Sequence, residues 1–152
     1  MEIKQVYVDP LSISGLQVRT FNSAEQSADT AKIGPMWGRF YSERLFERIA
    51  PEQPESAAYG VYSGYESDAG GAFDVTAGIA VTTPAQGYET ISIEAGQYLV
   101  FEGKGPMPEA VIEAWQRIWG YFQENPQIQR RYATDFERYS AEQAVSVYIG
   151  IL

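Results

Sequence analysis

The fold is decided by the segment "YLVFEGKGPMPEAVIEAWQRIWGYF", residues 98–122. Its first residues alternate between two faces as in a β-strand, and from residue 106 the apolar residues recur at helical spacing. Gly105 and Pro106 lie between the two patterns, and Pro is favoured in the first helical turn. We therefore expect a strand that ends near residue 103, a plain turn, and a helix over 106–123. One face of this helix carries the apolar residues Met107, Val111, Ala114, Trp115, Ile118 and Phe122.

The rest of the chain follows the same kinds of pattern. Residues 88–103 are predicted to form two short strands with a hinge near Ala95 and Gly96. The other predicted elements are strands over 2–8, 11–21, 57–65, 72–83, 132–139 and 144–152, a helix over 31–50 that Pro51 and Pro54 end, and loops over 22–30 and 66–71.

The order strand–helix–strand–strand occurs twice, over about 10–83 and 88–152. Gly-Pro-Met opens both helices, which supports an internal repeat. We predict one α+β domain over 1–152, built from duplicated βαββ halves with pseudo-twofold symmetry, antiparallel sheets and two helices. A ligand groove is expected between the halves, because junctions of this kind are common ligand sites.

Composition and charge exclude several kinds of function. The 152 residues include 20 acids and 11 bases, so a net charge of −9 repels phosphate backbones and anionic membranes. The chain has no Cys and no His, which excludes disulfides, Ser-His-Asp or Cys-His catalysis, and metal sites of those residues. We predict no cofactor and no metal. With no signal peptide or membrane span evident, we expect a soluble cytoplasmic protein, as a monomer or a homodimer.

Residues 132–140, "YATDFERYS", place acids among aromatic residues. In a strand, Asp135, Glu137 and Tyr139 lie on one face and Phe136 lies on the other. A charged residue in a strand is usually solvated, and spacing alone favours that interpretation. The alternative is a pocket that keeps a negative charge inside an aromatic wall, although burial disfavours a charged carboxylate.

Other candidate residues are aromatic or acidic. The chain has 11 Tyr, 7 Phe and 3 Trp, which suits a groove for amphipathic ligands. Trp115 and Trp119 lie one turn apart on the second predicted helix, and Trp37 lies on the first. Each Trp either packs in the core or supplies a cation–π face at the lip of a groove. Glu102 shares a strand face with Tyr98, and it either lies in solvent or adds a second acid to a pocket.

Four segments in order resemble the effector-binding domain of AraC-type transcription regulators, a module that also occurs alone in gyrase-inhibitor-like proteins. The segments are "IEAGQYLVFEGKGP" (93–106), "EAWQRIWGYF" (113–122), "DFERYS" (135–140) and "VSVYIGIL" (145–152). The first half, with "PLSISGLQVRT" (10–20) and "GPMWGRFYSERL" (34–45), is also similar to the family. The resemblance thus covers nearly the whole chain.

The resemblance implies a duplicated βαββ fold with a ligand groove. In multidrug-sensing members a buried carboxylate faces organic cations among aromatic rings, and the matching residue here is Glu137. The implied partner is a hydrophobic organic cation. No length is left for a helix-turn-helix region, so no direct binding of nucleic acid is expected. The predicted ligand-binding residues are Glu137, Tyr139, Trp115, Trp37, Trp119, Glu102 and Tyr98.

Three functions remain open at this point. The first is a binding module for amphipathic organic cations, which would fit an antibiotic-response context. The second is a hydrolase of reactive cyclopropane-bearing toxins, in which Glu137 or Glu102 activates water. The third is a protein-interaction module that acts on gyrase or another partner. We expect a binding module rather than an enzyme.

Overall fold

The computed structural model describes residues 3–49, 57–67, 70–141 and 143–152. Within these ranges the chain forms an antiparallel eight-stranded sheet and four helices, which confirms the predicted α+β class. The strands are β1 (Lys4–Val8), β2 (Leu11–Thr20), β3 (Ala58–Ser63), β4 (Phe73–Val81), β5 (Glu89–Ile93), β6 (Gly96–Lys104), β7 (Arg130–Ala141) and β8 (Ala144–Ile151). The helices are α1 (Asn22–Glu25), α2 (Ile33–Ser42), α3 (Leu45–Ile49) and α4 (Glu109–Glu124).

The strand order reads the same from either edge when each strand of one half is replaced by its counterpart in the other half. It runs β1-β6-β8-β7-β3-β4-β2-β5, so the two βαββ halves meet where β3 pairs with β7. The strand that precedes each βαββ unit pairs with the other half of the sheet: β1 pairs with β6 of the second half, and β5 pairs with β2 of the first. Each half therefore completes the sheet edge of the other around a pseudo-twofold axis.

Both long helices lie over one face of the sheet. Helices α2 and α3 contact β2 and β4, whereas α4 contacts β6 and β8. Buried side chains such as Phe40 and Leu45 fill the first of these cores, and Ile118 and Ile149 fill the second. A third core, which includes Phe136, lies on the opposite face of the sheet. The two helices thus cover the outer strands of each half and leave a groove over β3 and β7.

The first predicted helix is interrupted. Helix α2 ends at Ser42, and Arg44 has a φ of 54°, a left-handed conformation that a helix cannot continue through. The chain then re-enters a helix at Leu45, whose side chain is fully buried. The predicted loop over 22–30 contains α1. The predicted helix end at residue 50, its stop at Pro51 and Pro54, and residues 68 and 69 of the predicted 66–71 loop lie outside the described residues. No helix in the described part is long and apolar enough to cross a membrane.

Candidate ligand-binding site

A cavity of about 760 Å³ lies between α2 and α4, with β3 and β7 as its floor. This volume is within the range of small-molecule sites, roughly 300–1,000 Å³. Its walls are mostly apolar and aromatic. The aromatic lining residues in the described part are Trp37, Tyr41, Tyr62, Tyr65, Phe73, Trp115, Trp119 and Tyr139.

Glu137 is a buried carboxylate at the centre of this floor, with only 3% exposure. The Tyr62 hydroxyl and the Trp115 indole N–H donate to its Oε2 at 2.8 and 2.7 Å, and the Tyr139 hydroxyl donates to its Oε1 at 2.8 Å. All three donors are neutral groups. Among the described residues, none of the ion pairs involves Glu137. The carboxylate therefore accepts three hydrogen bonds and has no ion-pair partner among the described residues.

This environment changes the acid–base properties of the site. Burial raises the pKa of the Glu137 carboxyl above its ordinary value, and the hydrogen bonds from Trp115, Tyr62 and Tyr139 offset part of that rise. Burial, together with the adjacent carboxylate, raises the pKa of Tyr62 and of Tyr139. Both phenols therefore keep their protons and act as donors. A positive charge placed nearby would favour the ionised form of Glu137.

A glycine makes room for this carboxylate. Gly60 pairs with Glu137 in the β3–β7 register. A Cβ atom at this position would lie 2.8 Å from Glu137 Oε1 and 3.2 Å from Cζ2 of Trp37. Gly60 was not among the predicted site residues, although a glycine inside a predicted strand often marks a close approach.

A second acid, Asp135, lies on the same strand but is paired. Arg130 Nη2 lies 2.7 Å from Asp135 Oδ2, and the two side chains are 8% and 0% exposed. The Gly150 amide donates to Oδ1 at 2.8 Å, and the Tyr65 hydroxyl donates to Oδ2. The Arg130 guanidinium also lies over the Tyr132 ring, 4.5 Å from its centroid. The charge of Asp135 is therefore compensated within the protein.

A bulge in β7 makes this pair possible. In a regular strand Arg130 and Asp135, five residues apart, would lie on opposite faces. The register shifts between these two residues, and Tyr132 adopts a φ of 56° there. The predicted strand began at residue 132, so Arg130 was not expected to be a neighbour of Asp135.

Glu25 is the third acid of the site and belongs to the entry of α2. Its carboxylate accepts the backbone N–H groups of Lys32 and Ile33 at 2.9 and 3.1 Å. The Thr20 hydroxyl donates a further bond of 2.6 Å. Glu25 thus satisfies amides at the start of α2 that would otherwise lack partners.

Five of the seven predicted ligand-binding residues lie together in the cavity: Glu137, Tyr139, Trp37, Trp115 and Trp119. The Trp37 and Tyr139 rings pack edge to face with centroids 5.3 Å apart, and Trp119, 44% exposed, lies at the rim. Glu137 is buried, so the interpretation of its strand face as solvated is wrong. The binding role of these residues stays a prediction.

Tyr98 and Glu102 lie outside the cavity, contrary to the prediction. Tyr98 is fully buried in the core of the opposite sheet face, and its hydroxyl donates to the Glu94 carbonyl at 2.5 Å. Glu102 is exposed and shares that face, while the intervening Phe101 packs under α4. Alternation placed Tyr98 and Glu102 together correctly, but α2 and α4 cover the other face of the sheet.

Comparison with known proteins gives the family. Residues 4–151 match Cass2, described as an integron-associated effector binding protein. The integron cassette protein VCH_CASS2, from the mobile metagenome of Vibrio cholerae, is 34% identical and superimposes with a TM-score of 0.86, with 99% of this chain and 95% of that chain covered. No curated protein sequence matches the chain.

Two more distant structures share the fold. SAV2435 bound to tetraphenylphosphonium is 19% identical with a TM-score of 0.78, over 100% of this chain and 94% of that chain. A putative transcription regulation protein from Staphylococcus aureus MU50 is 21% identical with a TM-score of 0.75, over 99% and 98%. The family match over residues 4–151 and the 34% identical cassette protein confirm the predicted resemblance to effector-binding domains. The chain belongs to the Cass2 family of integron-associated effector-binding proteins.

Proposed function

We propose that the cavity binds a hydrophobic organic cation, with Glu137 as its counter-charge and the aromatic walls as its apolar surround. The observation that carries this proposal is the state of the carboxylate. Glu137 is 3% exposed, and the side chains that donate hydrogen bonds to it, Tyr62, Trp115 and Tyr139, are all neutral. The neutral donors orient the carboxylate without neutralising it.

The energetics of burial explain why such a site favours cations. Removing a carboxylate from water costs several kcal/mol unless hydrogen bonds and an opposite charge compensate it. Tyr62, Tyr139 and Trp115 supply the hydrogen bonds, and a bound cation supplies the missing charge. The faces of Trp and Tyr rings attract cations and bury apolar substituents at the same time. SAV2435, which shares this fold, is bound to the organic cation tetraphenylphosphonium.

The sign of the ligand charge gives a direct test. Tetraphenylphosphonium and tetraphenylborate have nearly the same shape and opposite charge. Isothermal titration of the protein with each ion should give saturable binding of the cation and at least tenfold weaker binding of the anion, because like charges near Glu137 cost several kcal/mol. Equal affinity for both ions, or no binding of either, would contradict the proposal. Hydrolysis of reactive small molecules or capture of a protein partner would then become the leading alternative.

A further inference from the structure

Two acids on β7 face the same side of the sheet but differ in their compensation. Asp135 and Glu137 are two residues apart, so their positions are about 7 Å apart along the strand. Glu137 is bonded to Tyr62, Trp115 and Tyr139, which are neutral, whereas Asp135 forms an ion pair of 2.7 Å with Arg130. The floor of the cavity therefore carries one free negative charge where the strand carries two.

The paired acid is also covered. Arg130 and Tyr65 line the cavity, and Asp135, with 0% exposure, lies behind them. Both covering residues bond to the Asp135 carboxylate. A ligand that reaches this end of the cavity therefore meets a guanidinium and a phenol instead of a carboxylate.

The remaining acid of the lining is already engaged. Glu25 accepts the amides of Lys32 and Ile33 and the hydroxyl of Thr20. Turning its carboxylate toward a ligand would break those bonds and leave the first amides of α2 unsatisfied. Like Glu137, Glu25 is bonded to neutral donors and forms no ion pair among the described residues, so the limit on ligand charge concerns the Arg130 end of the cavity alone.

We propose that Arg130 is a specificity-determining residue that excludes a second cationic centre from its end of the cavity. This inference rests on the proposed function and adds to it where the ligand carries no positive charge. A second cationic centre would lose water beside the Arg130 guanidinium and find no counter-charge there, and an unpaired desolvated charge is strongly disfavoured. The preferred ligand thus carries a cationic centre near Glu137 and uncharged, apolar groups beside Arg130.

The wild-type protein tests this inference with a matched pair of probes. One is 4-tert-butylphenyl-triphenylphosphonium, and the other is 4-(trimethylammonio)phenyl-triphenylphosphonium, in which a nitrogen cation replaces the quaternary carbon. Isothermal titration should show at least tenfold tighter binding of the monocation, since like charges placed together are costly. Equal or tighter binding of the dication overturns the inference. The inference is also overturned if the protein binds tetraphenylphosphonium but binds neither derivative, because the Arg130 end of the cavity would then admit no substituent.

Variants of the pair supply the causal test. Arg130→Met exposes the unpaired Asp135 carboxylate to the cavity and should shift the monocation-to-dication preference by tenfold or more toward the dication. Arg130→Met combined with Asp135→Asn removes both charges and should return the preference toward that of the wild type. Arg19→Met is the external control, since Arg19 forms a similar pair of 3.1 Å with Asp74 but is 47% exposed. It should leave the preference unchanged.

The outcomes separate the two proposals. An unchanged preference in a folded Arg130→Met variant overturns the inference while cation binding by Glu137 stands. Failure of the wild type to bind tetraphenylphosphonium overturns the proposed function itself. If Arg130→Met does not fold, the two probes can still be compared on the wild type and on the double variant. Equal affinities of the wild type for the two probes contradict the inference. A double variant that prefers the dication contradicts it as well.

Discussion

Replacing Glu137 by glutamine removes the charge of the cavity and keeps its shape. Two unit charges about 5 Å apart at an effective dielectric of about 20 interact by about 3 kcal/mol. A charge-assisted contact in a partly dry site contributes a net of about 1.5–3 kcal/mol. We therefore expect Glu137→Gln to weaken tetraphenylphosphonium binding about 10- to 100-fold.

Glu137→Gln should weaken ligand binding but should not destabilise the unliganded protein. Burial raises the pKa of Glu137, so the ionised form destabilises the unliganded protein at pH 8. The glutamine carbonyl can still accept from Trp115, and its amide can donate to the hydroxyl oxygen of Tyr62 or Tyr139. We expect the unliganded variant to be at least as stable as the wild type, and each 1 kcal/mol gained would raise Tm by about 2–4 °C.

Calorimetric titration and thermal unfolding at pH 8 measure the two effects. Glu102→Gln is the matched control, because Glu102 is an exposed acid on the opposite face of the sheet. Its affinity for tetraphenylphosphonium should equal that of the wild type. A Glu137→Gln variant that binds within twofold of the wild type, or that loses several degrees in Tm without ligand, would refute this reasoning.

Two further predictions follow from the same site. The pKa of Glu137 is raised in the unliganded protein, so affinity for a cation should increase as pH rises through that pKa and then level off. At lower pH, binding of the cation should release a proton, which titrations in two buffers measure. Glu137→Gln should abolish both effects. For the same reason, the free energy of unfolding of the unliganded protein should be higher while Glu137 is protonated and should fall as pH rises through its raised pKa. Gly60→Ala should lower affinity about tenfold, because its Cβ would lie 2.8 Å from Glu137 Oε1 and overpacking costs about 1–3 kcal/mol. Gly38→Ala, on α2 with nothing within 4 Å, should not change affinity; equal affinities for the two alanine variants would contradict this account.

The order of the elements and the faces of the strands are local properties, and both could be predicted from the sequence. Alternating and helical patterns predict the eight strands and the two long helices, because both periods are fixed by backbone geometry over a few residues. Alternation also placed Glu137 with Tyr139 and apart from Phe136, as the structure has them. The break of the first helix at Arg44 had no signal in the pattern, since a single left-handed residue leaves the apolar spacing intact.

Which face of the sheet becomes a cavity was decided only by the tertiary structure. Glu137 is bonded to Tyr62 on β3 and Trp115 on α4, which are 75 and 22 residues away in the sequence, so no local pattern contains these contacts. Neither α2 nor α4 covers Glu102, because it faces the other side of the same sheet. Asp135 and Glu137 look equivalent in the sequence, and a bulge in β7 that lets Arg130 reach one of them makes the difference. Burial and charge pairing depend on long-range packing, and these two properties turn a strand with two acids into a cavity floor with one unpaired carboxylate.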